Sequence, residues 1–140
     1  MPRIPPPLRT SFPYLHPVQT RWSDNDVYGH LNNVVYYLFF DTTVNRYLIE
    51  NSGLDPTGSG PIGLVVETGC QYFSSISFPD EVHVGLRVAE IGRSSVRYEL
   101  AVFREQEVEA SATGHFVHVY VDRESRRPTP VPEKLQKILR

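Results

Sequence analysis

The amino-acid sequence predicts an α+β fold in which one long helix lies against a strongly curved, mostly antiparallel sheet. Residues 31–51 contain neither glycine nor proline, begin beside asparagines suited to capping, and end shortly before Gly53, a usual helix stop. Much of the chain after this helix is rich in β-branched and aromatic residues and is divided by short turn sequences. Strands joined by such short links pair antiparallel, because parallel neighbours need a long crossover.

The predicted elements follow one another in a simple order. A first strand is expected within residues 14–23, where Pro17 indicates an edge or a strand start. Four further β-type segments come after the helix, at residues 62–73, 81–92, 94–105 and 108–122. We expect one domain over residues 1–140, with a stiff proline-rich arm at 1–13 and a short C-terminal helix within 130–140.

The composition argues against several classes of protein. With 14 basic and 16 acidic side chains, the net charge is -2, so the basic surface that nucleic-acid binding needs is not expected. Cys70 is the single cysteine, which excludes an intrachain disulfide and suits a reducing compartment such as the cytoplasm. The longest apolar run, residues 34–40, is far shorter than the ~20 residues of a membrane-spanning helix. Prolines at 5–7 interrupt any export signal, so we expect a cytoplasmic protein without a membrane span.

The last predicted strand is apolar on both sides. Its alternation places apolar residues on one side at Val108, Ala110, Ala112, Phe116 and Tyr120, and on the other at Val117, Val119 and Val121. One helix covers only one face of a sheet, and the other face and the edges stay open. The pattern therefore predicts a homodimer or a larger assembly.

The stretch SDNDVYGHLNN, directly before the helix, gathers the residues best suited to chemistry. The chain must turn sharply at Gly29, and the start of a helix presents unpaired N–H groups, here from Leu31 to Asn33, with partial positive charge. Such a helix start can hold the oxygen of a reacting carbonyl. Asp26 lies close by in sequence and supplies a carboxylate that can attack that carbonyl or take a proton from water.

Structural roles compete with this interpretation. Aspartate and asparagine before a helix are more often caps or turn formers than catalysts. Asp24 and Asp26 alternate on one side of an extended segment and could hold a divalent cation, but no third ligand follows at a suitable spacing. We therefore predict no metal site and expect Asp24 to be a cap or a solvated residue.

The histidines and the cysteine give weaker signals. His30 is suited to orienting substrate or relaying protons, and equally to a structural hydrogen bond in the turn. His115 and His118 lie on opposite faces of a strand and do not form a pair of metal ligands. Cys70 has the surroundings of a small buried residue. No serine nucleophile elbow, phosphate loop or dinucleotide fingerprint is present, and no cofactor is predicted.

At DNDVYGHLNNVVYYLFFD the chain resembles the hot-dog-fold acyl-CoA thioesterases of the 4-hydroxybenzoyl-CoA thioesterase type. The resemblance is to the branch with the pattern D-x-D-x-x-G-H-x-N-N-x-x-Y. Its positions are occupied here by Asp24, Asp26, Gly29, His30, Asn32, Asn33 and Tyr36. It continues through CQYFSSISFPDEV, IGRSSVRYEL and VEASATGHFVHVYVD to RRPTPVP, and so covers roughly residues 15–133.

This resemblance implies a central helix wrapped by a curved antiparallel sheet of five or six strands. It also implies homodimers or dimers of dimers, with active sites at the interface. Asp26 is then the nucleophile or general base, the backbone N–H near Asn33 polarises the carbonyl, and His30 is a further candidate. Acyl-carrier-protein thioesterases pair this histidine with an asparagine, but Tyr28 stands at that position here. The remaining residues expected to contact substrate are Tyr28, Gly29, Asn32 and Tyr36.

The sequence-based hypothesis is therefore a thioester hydrolase acting on an acyl-CoA or an acyl-carrier-protein thioester. One alternative is a hydratase or dehydratase of acyl thioesters, with His30 as general base. A second is an acyl-CoA-binding module without activity. The acyl group itself is left open, because aromatic residues at helical spacing, such as Tyr36 and Phe40, are more often core than pocket lining.

Overall fold

The computed structural model describes residues 4–52, 54, 55 and 57–140, and its main feature is one five-stranded antiparallel sheet with a long helix across it. The strands are β1 (Tyr14–Gln19), β2 (Ile62–Tyr72), β3 (Glu81–Ile91), β4 (Ser95–Arg104) and β5 (Ala112–Val121). The helices are α1 (Asn33–Ser52) and α2 (Glu133–Leu139). The strand order is β1-β3-β4-β5-β2, which leaves β1 and β2 at the two edges. The predicted α+β hot-dog architecture, with a single long helix against a curved antiparallel sheet, is confirmed.

The boundaries agree with the predicted ones within one residue except in three places. β1 ends at Gln19, and a short 3-10 turn, Trp22–Asp24, occupies the rest of the predicted strand. α1 begins two residues later than expected, because Asn32 caps it: its Oδ1 accepts a hydrogen bond of 3.2 Å from the N–H of Val34. β5 begins at Ala112, so Val108 and Ala110 precede the strand and do not take part in its alternation.

The main core lies between α1 and the inner face of the sheet. Phe40, Val44 and Leu48 on α1 are fully enclosed and pack with inward-facing residues of β3, β4 and β5. Gly114 of β5 lies directly against α1, and a Cβ atom there would come within 2.8 Å of Phe40 Cζ and 2.6 Å of the Gly69 carbonyl oxygen. No side chain fits between the helix and this point of the sheet.

The first half of α1 is apolar around most of its circumference, but it is not enclosed on all sides. Tyr36, Phe39 and Phe40 are buried, but Val34 is 61% exposed and Leu38 is 51% exposed. The sheet covers one side of the helix, and the opposite side is open in a single chain. None of the described helices is long and apolar enough to cross a membrane.

The outer face of the sheet is partly covered by the N-terminal arm. Phe12 is buried against Phe103, with ring centroids 5.8 Å apart, and Ala101 and Ala110 complete this second cluster. Leu8 forms an isolated bridge with Glu109. The described part of the predicted arm, residues 4–13, is therefore anchored to the sheet. Ala110 belongs to this outer cluster and not, as predicted, to the inner face of β5.

Candidate functional site

The site begins with a buried carboxylate that shapes the chain before α1. Asp24 is 2% exposed, and its Oδ2 accepts a hydrogen bond of 2.8 Å from the backbone N–H of Arg21. The Arg21 guanidinium binds Oδ1 of the same carboxylate at 2.7 Å. The Asp24 carbonyl oxygen in turn accepts the N–H of Asn32 at 2.9 Å. Asp24 is thus a cap, one of the two roles expected of it, and its carboxylate is committed to Arg21 and not to a cation shared with Asp26.

The loop between Asp24 and α1 is a closed turn held from two sides. The N–H of Asp26 donates to the carbonyl oxygen of His30 at 2.9 Å, and Gly29 has a φ of +88°, a conformation that favours glycine. The Ser77 hydroxyl donates to the Gly29 carbonyl oxygen at 2.8 Å. The predicted sharp turn at Gly29 is therefore present and is fixed to the loop that precedes β3.

The start of α1 has fewer free N–H groups than the sequence predicted. The N–H of Leu31 donates to the Ile76 carbonyl oxygen at 2.8 Å, and the N–H of Asn32 is taken up by Asp24. The N–H of Asn33 has no acceptor among the described residues. The prediction is therefore wrong for Leu31 and Asn32, whose N–H groups anchor the turn. Asn33 alone of the three offers a donor for a ligand.

Asp26 lies at the rim of the turn with its carboxylate partly accessible. Its side chain is 24% exposed, and Oδ1 accepts a hydrogen bond of 2.8 Å from the N–H of Tyr28. The second oxygen, Oδ2, lies 3.9 Å from Nδ1 of His30, which is longer than a hydrogen bond. Oδ2 is therefore the oxygen left for a water molecule or a substrate.

A cavity of about 380 Å³ opens between this turn, the first turn of α1 and the end of β2. Four of the predicted site residues line it together: Asp26, His30, Asn33 and Tyr36. Leu31 and the segment 72–75 complete the wall. Asp26, with its partly accessible carboxylate, and Asn33, with its unpaired N–H, thus line one cavity, and acyl transfer needs such a pair of groups close together.

The far wall of the cavity is aromatic. Tyr36 is 4% exposed and meets Tyr72 edge to face, with ring centroids 5.0 Å apart. Burial raises the pKa of Tyr36 to about 12, so its hydroxyl stays neutral at ordinary pH. Sequence reasoning missed Tyr72, Phe73, Ser74 and Ser75 as lining residues. Their own sequence carries no catalytic pattern, and long-range contacts, among them the pairing of β2 with β5 and the Leu31–Ile76 hydrogen bond, bring this segment beside the helix start.

The other three predicted contact residues lie elsewhere around the turn. Gly29 and Asn32 line an open groove of about 830 Å³ on the other side of Asp26, together with the exposed side chains of Trp22 and Val27. Tyr28 lines neither space and is 81% exposed. Tyr28 therefore acts in a single chain through its backbone N–H, which holds the Asp26 carboxylate.

The remaining polar candidates are not part of this site. His115 and His118 lie on opposite faces of β5, as predicted, and His115 Nε2 pairs at 3.1 Å with Glu67 on the outer face. Cys70 is half-buried, and burial raises its pKa to about 11, which disfavours the thiolate. Among the described residues no cluster of three histidine, cysteine or carboxylate side chains could hold a metal ion.

Comparison with known proteins gives the family. The model of the thioesterase-like superfamily matches residues 20–139, which include the turn, α1 and the whole of β2 to β5. This chain belongs to the thioesterase-like superfamily. The predictions of a hot-dog fold and of a thioester hydrolase are therefore confirmed at the level of the family.

Three proteins show how similar this thioesterase-like chain is to known sequences and structures. The crystal structure of the PA5185 protein from Pseudomonas aeruginosa strain PAO1 is 55% identical and superposes with a TM-score of 0.93, over 96% of this chain and 94% of that one. A thioesterase from Thermus thermophilus, solved as a complex with coenzyme A and Zn, is 33% identical with a TM-score of 0.77, over 92% of each chain. The YsmA protein of Bacillus subtilis strain 168 is 26% identical, over 84% of this chain and 78% of its own length.

Proposed function

We propose that this thioesterase-like protein hydrolyses acyl-CoA thioesters, with Asp26 as the nucleophile or general base and the N–H of Asn33 as the donor to the carbonyl oxygen. The observation that carries the proposal is the shared cavity. Asp26, whose carboxylate is partly accessible, and Asn33, whose N–H is unpaired, line the same 380 Å³ cavity. The helix start adds partial positive charge where negative charge develops on the carbonyl oxygen.

The chemical step follows from this arrangement. The thioester carbonyl oxygen accepts the N–H of Asn33, and Asp26 removes a proton from a water molecule that attacks the carbonyl carbon. A C–O bond forms, the C–S bond breaks, and the thiolate that leaves takes up a proton. Direct attack by Asp26, followed by hydrolysis of the acyl-enzyme, gives the same products. His30 lines the same cavity, with Nδ1 3.9 Å from Asp26 Oδ2, and so lies beside the reacting groups in this proposal.

The substrate class rests on the motif and on one relative. The thioesterase from Thermus thermophilus was solved with coenzyme A, and it is 33% identical over 92% of this chain. The pattern D-x-D-x-x-G-H-x-N-N supports the narrower assignment to the 4-hydroxybenzoyl-CoA thioesterase type, which forms part of this proposal. The acyl group is proposed to lie against the wall formed by Tyr36 and Tyr72, whose faces and edges suit an apolar group.

The proposal includes a homodimer that joins two sheets through β2. This strand is an edge of the sheet, and Leu64, Val65 and Val66 on it are between 37% and 60% exposed. A long apolar edge with unpaired backbone groups is a template for a second strand. β2 also ends beside the cavity, at Tyr72. A partner on this edge would therefore lie close to the site, as the family resemblance implies.

The decisive experiment is the substitution Asp26→Asn. It keeps the size of the side chain and removes the charge, so kcat for acyl-CoA hydrolysis, followed by release of free thiol, should fall by roughly 10²–10⁴-fold. Asp41→Asn is the matched control, because it makes the same change on an exposed residue of α1 that lines neither the cavity nor the groove beside Asp26.

An Asp26→Asn variant that folds, binds coenzyme A and keeps near wild-type turnover would remove the catalytic assignment. The thiol-release assay also separates hydrolysis from the hydratase alternative, since hydration of an acyl thioester releases no thiol. A panel of acyl-CoAs with short, long, branched and aromatic acyl groups tests the second alternative. Saturable binding of these compounds without turnover would show that the protein is an acyl-CoA-binding module without activity.

A further inference from the structure

A second cavity lies at the other end of α1 and takes no part in the proposed hydrolysis. It measures about 230 Å³ and lies between the last turns of the helix, the start of β2 and the end of β5. Leu48 lines it, whereas Tyr36 lines the first cavity. At 1.5 Å per helical residue, these two side chains are attached roughly 18 Å apart along the axis. The two cavities are therefore separate sites.

One polar group in the wall of this cavity is a buried imidazole, and the polar side chains of Asn45 and Tyr120 line it as well. His118 is 3% exposed, and its ring packs between Phe116 and Tyr120, with centroids 4.9 Å and 5.9 Å away. Burial lowers its pKa to about 4, so the ring is neutral at physiological pH. A neutral imidazole carries one N–H donor and one acceptor nitrogen.

This imidazole has no hydrogen-bond partner among the described residues. Nδ1 is completely enclosed and unpaired, and the described hydrogen bonds and ion pairs contain none to Nε2. Buried polar groups are nearly always paired, and an unpaired one costs about 1–3 kcal/mol. Since His118 lines the cavity, a molecule bound there can supply a partner to Nε2, the ring nitrogen that is not fully enclosed, while Nδ1 stays unpaired.

The other walls indicate an uncharged and largely apolar occupant. Leu48, Leu54 and Ile62 supply apolar surface. The two charged residues at the rim already have partners: Asp55 Oδ1 accepts from the Thr57 hydroxyl at 2.7 Å, and Arg123 Nε donates to the Gly60 carbonyl oxygen at 3.1 Å. With a neutral imidazole inside and one acidic and one basic residue at the rim, the cavity carries no net charge to attract a charged ligand.

We propose that this cavity is a binding site for a small neutral one-ring alcohol of the phenol class, whose hydroxyl hydrogen-bonds to His118. A hydroxyl both donates and accepts, so it fits either tautomer of the neutral imidazole. The ring lies against the apolar wall. An apolar cavity of about 150 Å³ is enough to bind benzene in another protein, so 230 Å³ accommodates one ring with its substituents.

The test compares p-cresol with toluene, which differ by the hydroxyl alone. We expect isothermal titration calorimetry on the wild-type protein to give about tenfold tighter binding of p-cresol, the fold-change of one net hydrogen bond. In His118→Phe this preference should disappear. Equal affinities in the wild type, or an undiminished preference in His118→Phe, would contradict the site. If neither p-cresol nor toluene binds, the proposed site is overturned as well, and water is then the partner of the imidazole.

A second variant acts on the shape of the cavity without removing the imidazole. In Gly63→Ala the new Cβ would lie 3.2 Å from Tyr120 Cε1 and 3.3 Å from His118 Cγ, so it crowds the wall that the ligand needs. Binding of p-cresol should weaken in this variant, and unchanged binding would overturn the location. The readout is ligand affinity, which is independent of thioester hydrolysis at Asp26.

Discussion

At the residue scale, the proposed reaction depends on one backbone donor and one carboxylate oxygen. Of the three N–H groups at the start of α1, that of Asn33 alone has no acceptor among the described residues. Asp26 Oδ2 is the counterpart on the carboxylate side, because Oδ1 is held by Tyr28. The N–H groups of Leu31 and Asn32 anchor the turn, so the proposal places the thioester carbonyl between the N–H of Asn33 and Asp26 Oδ2.

The N–H of Asn33 can be removed without removing the helix. Asn33 is the first residue of α1, a position where proline is well tolerated, and the capping residue Asn32 before it is not helical. Asn33→Pro should lower kcat by roughly 10²–10³-fold, the usual effect of losing one donor to the carbonyl oxygen. Asn33→Ala keeps the N–H and should retain most of the activity. Equal losses in the two variants would assign the effect to the side chain.

At the scale of elements, the 3-10 turn Trp22–Asp24 connects the edge strand β1 to the site. Asp24 makes this connection, because its carboxylate caps the turn and its carbonyl oxygen holds Asn32 at the start of α1. A positioning residue of this kind touches no substrate. Its influence on catalysis passes through the placement of the first turn of the helix.

Asp24→Asn should therefore lower stability and activity together. The amide cannot accept from both the Arg21 backbone and its guanidinium as a carboxylate does, so the free energy of unfolding in urea should fall by about 2 kcal/mol. The exposed Asp41→Asn change should cost less than about 0.5 kcal/mol. An unfolding midpoint that does not move would show that the cap is dispensable.

At the scale of the whole molecule, the open edge and the open side of α1 mark where a second copy is expected. Val66 is 60% exposed on β2, and Val108 is 59% exposed in the loop before β5. Val66→Lys places a charge on the edge where two sheets are proposed to join, and such charges block edge pairing. Light scattering after size exclusion should give twice 16.0 kDa for the wild type and for Val108→Lys, and 16.0 kDa for Val66→Lys. A wild-type protein of 16.0 kDa would refute the dimer.

The sequence predicted the architecture well because its strongest signals are local. The uninterrupted segment before Gly53 gave α1, and the short turns gave the antiparallel order. Asp26, His30, Asn33 and Tyr36 were found because they lie within or beside one short motif. Tyr72 and its neighbours were missed because their position depends on pairing between distant strands, which no local pattern records. The free N–H groups were overcounted for the same reason, since Ile76 reaches Leu31 only in the folded chain.

Position 114 must remain glycine, and this limits which substitutions the protein can tolerate during evolution. Any other amino acid there would push against Phe40 and against the opposite strand at Gly69. Because α1 carries Asn33 and Tyr36 at its beginning, a helix lifted from the sheet would carry these two groups away from Asp26. The absence of a side chain at Gly114 thus helps to align the proposed reaction centre, to which Gly114 contributes no atom. Substitutions in the segment 72–75 can therefore change the proposed acyl specificity more easily, because this segment lines the cavity but does not pack beneath α1 at Gly114.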